Sequence, residues 1–203
     1  MDGKVFISYS WKEPSGSIVN NWLVPSIKAA GINCLVDREA CGYNANIDKF
    51  EADIPKAAKV VLVLSPAFLT SEDCMYEAAL AVSKCDVEKQ VYVINLADYN
   101  FRNDADMWLE RVDSFFGALK KKYEDAMTKL SDTVRGPCKD KLRKINTIIS
   151  NLTDLWRMLS FKNSGTFGSI SKNGFELVCK ELKESVEESM LKTEGISNTN
   201  IVP

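Results

Sequence analysis

Lys59-Val60-Val61-Leu62-Val63-Leu64 decides the fold. The run is apolar and β-branched with no polar alternation, so a strand made from it needs cover on both faces. That is the requirement of a central strand in a parallel sheet between two helical layers. The same signal recurs on either side, in Lys4-Val5-Phe6-Ile7-Ser8, in Ile32-Asn33-Cys34-Leu35-Val36 and in Val91 to Leu96. Helical spacing fills the gaps. Ser17 to Ala30 sets Ile18, Trp22 and Ile27 toward one face, with Pro25 interrupting it and Gly31 as its stop. Ile47, Phe50, Ile54 and Ala58 also recur at helical spacing, and Thr70 or Ser71 can cap a helix from Glu72 to about Lys84. Strands and helices that alternate with short connections predict an open, mostly parallel α/β sheet of four to five strands with right-handed crossovers.

The second half reads differently. From Asp104 to Leu130 the residues Trp108, Val112, Phe115, Leu119, Tyr123, Met127 and Leu130 step by three or four, the pattern of a long amphipathic helix. After Arg135-Gly136-Pro137 a second runs from about Lys139 to Leu159, with Leu142, Ile145, Ile149, Leu152, Trp156 and Leu159 inward. A Ser/Gly/Asn loop from Phe161 to Gly174 has room for a short fifth strand, a last helix covers Phe175 to about Leu191, and 193–203 is a frayed tail. The expectation is one domain over 1–192. In it, 104–160 is a helical elaboration beside the sheet, a lid or an assembly surface, and 175–192 is a terminal helix. The lysines at 120–122 and from Lys139 to Lys144 read as solvated faces.

Composition removes whole classes of function. The 203 residues carry 26 Lys+Arg against 28 Asp+Glu, a formal net charge of -2, so no basic footprint for nucleic acid is present. No apolar run approaches the roughly 20 residues that span a bilayer, and Met1-Asp2-Gly3-Lys4 lacks the order of a signal peptide. A cytoplasmic protein with no membrane partner is expected. There is no histidine, which excludes Ser-His-Asp and Cys-His machinery and imidazole proton shuttles. The six cysteines show no C-x-x-C pairing, so no metal site is expected and they read as buried or half-buried thiols. Chemistry must rest on carboxylates, hydroxyls, amides and a few cations.

In an open parallel sheet the usable crevice lies beyond the carboxyl ends of the strands. That rule selects Tyr9 to Gly16, Asp37 to Asn46 and Ser65 to Glu77. Their polar content nominates Ser8, Tyr9, Ser10 and Trp11, then Asp37, Arg38, Asn44 and Asn46, and last Ser65, Asp73 and Glu77. Neither G-x-G-x-x-G nor G-K-[ST] occurs, so the chain carries no Rossmann or Walker phosphate loop. On local grounds alone Ser65 is a turn residue, Asp73 a first-turn acid suited to the helix dipole, and Asp37 and Arg38 partners within their loop.

Three segments carry a resemblance. Phe6-Ile7-Ser8-Tyr9-Ser10, then Asp37-Arg38 through Gly42, then Val63-Leu64-Ser65-Pro66 with Ser71-Glu72-Asp73-Cys74-Met75-Tyr76-Glu77 resemble, in order and spacing, the three boxes of a TIR domain. The resemblance covers about residues 4 to 96 and implies a flavodoxin-like sheet. It also implies a role for Glu77, which matches the glutamate with which enzymatic members cleave the nicotinamide–ribose bond of NAD. NAD enters as substrate, and no resident cofactor is implied. On that reading Ser8, Tyr9, Ser10, Trp11, Asp37, Arg38, Asn44, Asn46 and Asp73 line the substrate. Asp73 stands where these enzymes commonly carry tryptophan, so stacking on nicotinamide falls to Tyr9, Trp11 or Tyr43, and Asp73 is placed to raise the pKa of Glu77.

The size of the chain is similar to that of the stand-alone TIR subunit of Thoeris anti-phage systems. Such a subunit makes an ADP-ribose-derived product, cyclic or conjugated, that activates a separate effector. Two other readings compete. One is a non-enzymatic adaptor that associates with other TIR surfaces through Arg38, Glu39 and Tyr43. The other is an enzyme like the nucleoside deoxyribosyltransferases, with a glutamate acting on the N-glycosidic bond of free nucleosides.

Overall fold

The computed structural model describes residues 3–36, 51–96, 104–131, 135–162, 165–166, 168, 171 and 175–198. Among the described residues five strands, β1 (Val5–Tyr9), β2 (Cys34–Val36), β3 (Lys59–Leu64), β4 (Val91–Asn95) and β5 (Gly165–Thr166), form one sheet in the order β2-β1-β3-β4-β5. Every pairing is parallel, with Phe6 opposite Val60 and Ser8 opposite Leu62. The run at 59–64 is a strand over its whole length and lies at the centre of the sheet, as its uninterrupted apolar sequence requires.

Alternation along the strands divides the core in two. Phe6, Leu62, Leu64 and Val93 face one side. There they pack with α2 (Glu72–Lys84) and with α3 (Ala105–Lys129) and α4 (Gly136–Phe161), through Met75, Ala78, Phe116, Ile148 and Trp156. Val5, Ile7, Tyr9, Val61 and Val63 face the other side, where Val19, Leu23, Ile27, Val178 and Leu182 cover them from α1 (15–29) and α5 (Glu176–Asn198). The long helices of the second half thus form part of the main core, with α4 laid along α2 and α3 along α4.

Several local expectations change. α1 is continuous through Pro25 because its middle, Val19–Leu23, is a π-helical turn in which the Val24 N–H reaches back to the Val19 carbonyl. The widened turn loosens the ladder that a proline one residue later would otherwise break. Its buried row is Val19, Leu23 and Ile27, and Trp22 is exposed. In α3 Phe116 is inward and Phe115, expected inward, is partly exposed, a one-residue shift inherent in reading a 3.6-residue period; in α4 Ile148 is fully buried and Ile149 packs, partly buried, against the same core. The helix expected around 47–58 gives way by Ile54–Lys56 to a 3-10 turn containing Pro55, and the Ala58 N–H then bonds the Lys4 carbonyl, joining the strand layer. Residues 37–50 lie outside the described residues. α5 runs beyond Leu191 to Asn198, further than expected. Among the described residues no helix is long and apolar enough to cross a membrane.

Candidate active site

In this strand order the chain leaves β1 toward β2 on one side and returns to β3 on the other, so the carboxyl ends of β1 and β3 flank the reversal where open α/β sheets present ligand crevices. Ser8 stands near the end of β1 on the same face as Phe6. After β3 the Ser65 hydroxyl accepts the Phe68 N–H at 3.1 Å and starts a single turn, Pro66–Leu69. Ser71 then caps α2, accepting the Cys74 N–H at 3.4 Å. One turn of helix further, Glu77 meets β1. The Ser8 hydroxyl donates to Glu77 Oε2 at 2.5 Å across 69 positions of sequence.

Glu77 is 6% exposed and lies among Cys74, Met75, Tyr76, Ala78, Ala79 and Ala81, all buried. A carboxylate taken from water into such surroundings costs several kcal/mol unless hydrogen bonds offset the loss. The hydroxyl at Ser8, on a strand face otherwise made of Phe6 and its apolar neighbours, supplies one. The matched pair, acid on the helix and donor on the strand end, is the feature that sets this end of the sheet apart.

The other expected site residues divide. Ser10 is buried, and its hydroxyl accepts the Lys12 N–H at 3.3 Å. Trp11 follows and is 61% exposed. Its carbonyl closes on Gly16, where a Cβ would stand 2.6 Å from that oxygen, so the turn into α1 requires glycine. Tyr9 goes elsewhere. Its side chain lies on the face opposite Ser8, packed with Val19 and Leu23, and its hydroxyl donates to Asn20 Oδ1 at 3.0 Å. Strand alternation keeps adjacent residues Ser8 and Tyr9 on separate faces, so Tyr9 is not brought to Glu77. Asp37, Arg38, Tyr43, Asn44 and Asn46 lie outside the described residues.

Asp73 is answered by a cation from α4. Lys144 Nζ is 3.3 Å from Asp73 Oδ1 and also bonds Glu51 Oε1. Lys144 is 8% exposed and Glu51 4%, whereas the Asp73 side chain is 54% exposed. Burial pulls the Lys144 ammonium down, but the hydrogen bond and charge of Glu51, with Asp73 behind it, outweigh this and leave its pKa above that of an ordinary lysine. Around it Arg143 donates to the Tyr76 hydroxyl at 2.8 Å, Lys141 pairs with Glu72 at 2.9 Å, and Lys144 Nζ lies 5.0 Å from the centre of the Tyr76 ring.

Lys144 and Glu51 are thus structural partners of this helix that the sequence reading missed, with Lys144 read as solvated. Glu51 carried no local signal. Asn95, at the carboxyl end of β4, is likewise a buried polar residue closing an apolar strand.

Residues 5–130, more than half of the chain, match the TIR domain family. The chain belongs to that family. No individual curated protein matches it. The TIR match ends at Leu130, so α4 with its cations lies beyond it while gripping a helix inside it. The described thiols of this TIR protein are unbridged: Cys34, Cys74 and Cys179 are buried and Cys85 and Cys138 half-buried. Among the described residues no three His, Cys, Asp or Glu side chains gather where they could hold a metal ion. A cavity of about 550 Å³ opens between the ends of α2 and α4, lined by Ser83, Glu88, Asn151, Arg157, Phe161 and Lys162 among others. It adjoins the turn that leads into β4, at the amino ends of the strands, and includes neither Ser8 nor Glu77.

Proposed function

We propose that this TIR protein cleaves the bond between nicotinamide and ribose in NAD, with Glu77 as the acting carboxylate. The observation that carries the reading is the buried Glu77 carboxylate, oriented by the Ser8 hydroxyl at the reversal between β1 and β3. Its chemistry suits a chain without histidine. When the C1′–N bond breaks, the bonding pair leaves with the pyridinium nitrogen, and nicotinamide departs neutral. No general acid is required, unlike an ordinary glycosidase with its second carboxylic acid. Positive charge develops on the ribose ring, and a fixed carboxylate beside the ring or its hydroxyls stabilises that state more than the ground state. About 1.4 kcal/mol of such preference is needed for each factor of ten in rate, a modest demand on one oriented charge. The ribosyl cation is then captured by water, which loses a proton, or by a nucleophile within the same nucleotide, giving a cyclic product.

A further step belongs to the same proposal: the ADP-ribose-derived product is a cytoplasmic signal read by a separate effector. Ser10 and Trp11, with Asp37, Arg38, Asn44 and Asn46 from the segment after β2, are the proposed substrate contacts.

Incubation of the concentrated protein with NAD, and with free deoxynucleosides in parallel, tests the reading, with products resolved by chromatography. Release of nicotinamide by the wild type and its loss in a folded Glu77→Gln variant are expected. Transfer of deoxyribose between free bases supports the transferase reading instead. An inert protein that self-associates supports the adaptor.

A further inference from the structure

We propose that Lys144, on a helix beyond the TIR match, is a positioning residue that fixes the orientation of α2 and through it the carboxylate of Glu77. The inference rests on the reading of Glu77 as the carboxylate that acts on NAD.

The geometry is specific to one turn of helix. Three cations within 141–144 engage the start of α2: Lys141 takes Glu72 at 2.9 Å, Lys144 takes Asp73 at 3.3 Å, and Arg143 donates to the Tyr76 hydroxyl at 2.8 Å. Asp73 stands four residues before Glu77, one helical turn away along the same face, and Tyr76 is its immediate neighbour. Lys144 further binds Glu51, the buried acid that precedes the 3-10 turn Ile54–Lys56. A single ammonium therefore joins α4, the start of α2 and the chain entering β3.

Charge is an expensive means of holding helices together. A lysine and a glutamate buried to this degree give up hydration that their attraction only partly returns, and apolar residues of similar size hold such a place at least as well. What apolar packing does not supply is direction. It tolerates rotation of α2 about its own axis, whereas an ammonium bonded to oxygens on two elements does not. Rotation is what Glu77 is sensitive to, because its carboxylate must meet both Ser8 and the substrate ring, and a shift of about 1 Å at a reacting group can cost about a hundredfold in rate.

The test uses the full chain in four forms: wild type, Lys144→Arg, Lys144→Met, and Lys144→Met combined with Glu51→Met. The double substitution removes both buried charges at once, so it keeps a folded comparison in hand if the single one does not fold. Amide hydrogen exchange is followed over 72–77 and over the central strand 59–64, and steady-state NAD cleavage is measured beside it. The double variant, which removes both buried charges, is expected to exchange about tenfold faster over 72–77 with 59–64 unchanged, whereas Lys144→Met, which also loses global stability, quickens both segments. Their kcat is expected to fall about ten- to a hundredfold while KM moves less than about threefold, with Lys144→Arg recovering most of the loss. Wild-type exchange over 72–77 in both methionine variants overturns the proposal, as does faster exchange with unchanged kcat. Should the wild type release no nicotinamide under any condition, the NAD reading falls by itself, and the positioning role stands or falls on the exchange data.

Discussion

The Ser8 hydroxyl and the Glu77 carboxylate, 69 positions apart in sequence, meet at 2.5 Å where β1 ends beneath the second turn of α2. Each explains the other. The strand carries a hydroxyl on a face that is otherwise core, and the helix carries an acid among buried apolar side chains.

Ser8→Ala removes that donor and little volume. A hydrogen bond to a charged group contributes about 1.5–3 kcal/mol, so the urea midpoint should fall accordingly. Nicotinamide release should drop at least about tenfold, because a carboxylate without its orienting donor samples unproductive directions. A variant as stable and as active as the wild type would mean that the bond does neither job.

Tyr9→Phe addresses the other face of the same strand. The lost hydrogen bond to Asn20 should cost about 1 kcal/mol, seen as a lower thermal midpoint. Combined with Asn20→Ala the effects should be less than additive, since both substitutions break the same bond. Full additivity would place the Tyr9 hydroxyl elsewhere.

Gly16→Ala would set a methyl 2.6 Å from the Trp11 carbonyl oxygen, a backbone atom that cannot swing aside. Relief requires movement of the turn at 10–16, and overpacking of this kind costs about 1–3 kcal/mol. The tryptophan fluorescence of folded protein should change with it, because Trp11 stands on the turn that must shift. An unchanged stability and spectrum would show the turn to be yielding.

Lys144→Met leaves Glu51 buried without its ammonium, a loss of roughly 3–5 kcal/mol at neutral pH. The sign of its pH dependence follows from the raised pKa of Lys144, which burial opposes but Glu51 and Asp73 impose. A group held above its unfolded value of about 10.4 contributes fully below that pH and loses its contribution as pH climbs through the folded value. Urea midpoints of wild type and variant should therefore differ by a constant amount from pH 7 to 9 and converge above about 10.5. A gap that widens with alkali would contradict the assignment.

How far the sequence reached can be judged element by element. Lys59–Leu64 was legible because a strand covered on both faces has no choice but to be apolar throughout, and that is a local property. The cap at Ser71, the length of α2 and the short fifth strand in a glycine-rich loop are local too, as are the boxes that point to the TIR family. Phasing is not legible in the same way. Phe116 against Phe115 and the displaced row of α1 turn on a single residue, which helical periodicity does not resolve when a π turn or adjacent apolar residues intervene.

By itself, then, the sequence determined the parallel α/β fold and the boxes of the TIR family, and nominated Glu77 through that resemblance. The tertiary structure alone decided who faces that acid. Tyr9 is turned away by the alternation of its strand, Ser8 is turned inward by the same rule, and Lys144 is drawn from the solvated face of a helix to acids 93 and 71 positions distant. The physical reason is range: strand and helix propensities are written in neighbouring residues, whereas a buried charge finds its partner only when distant segments have packed and water has been removed from between them.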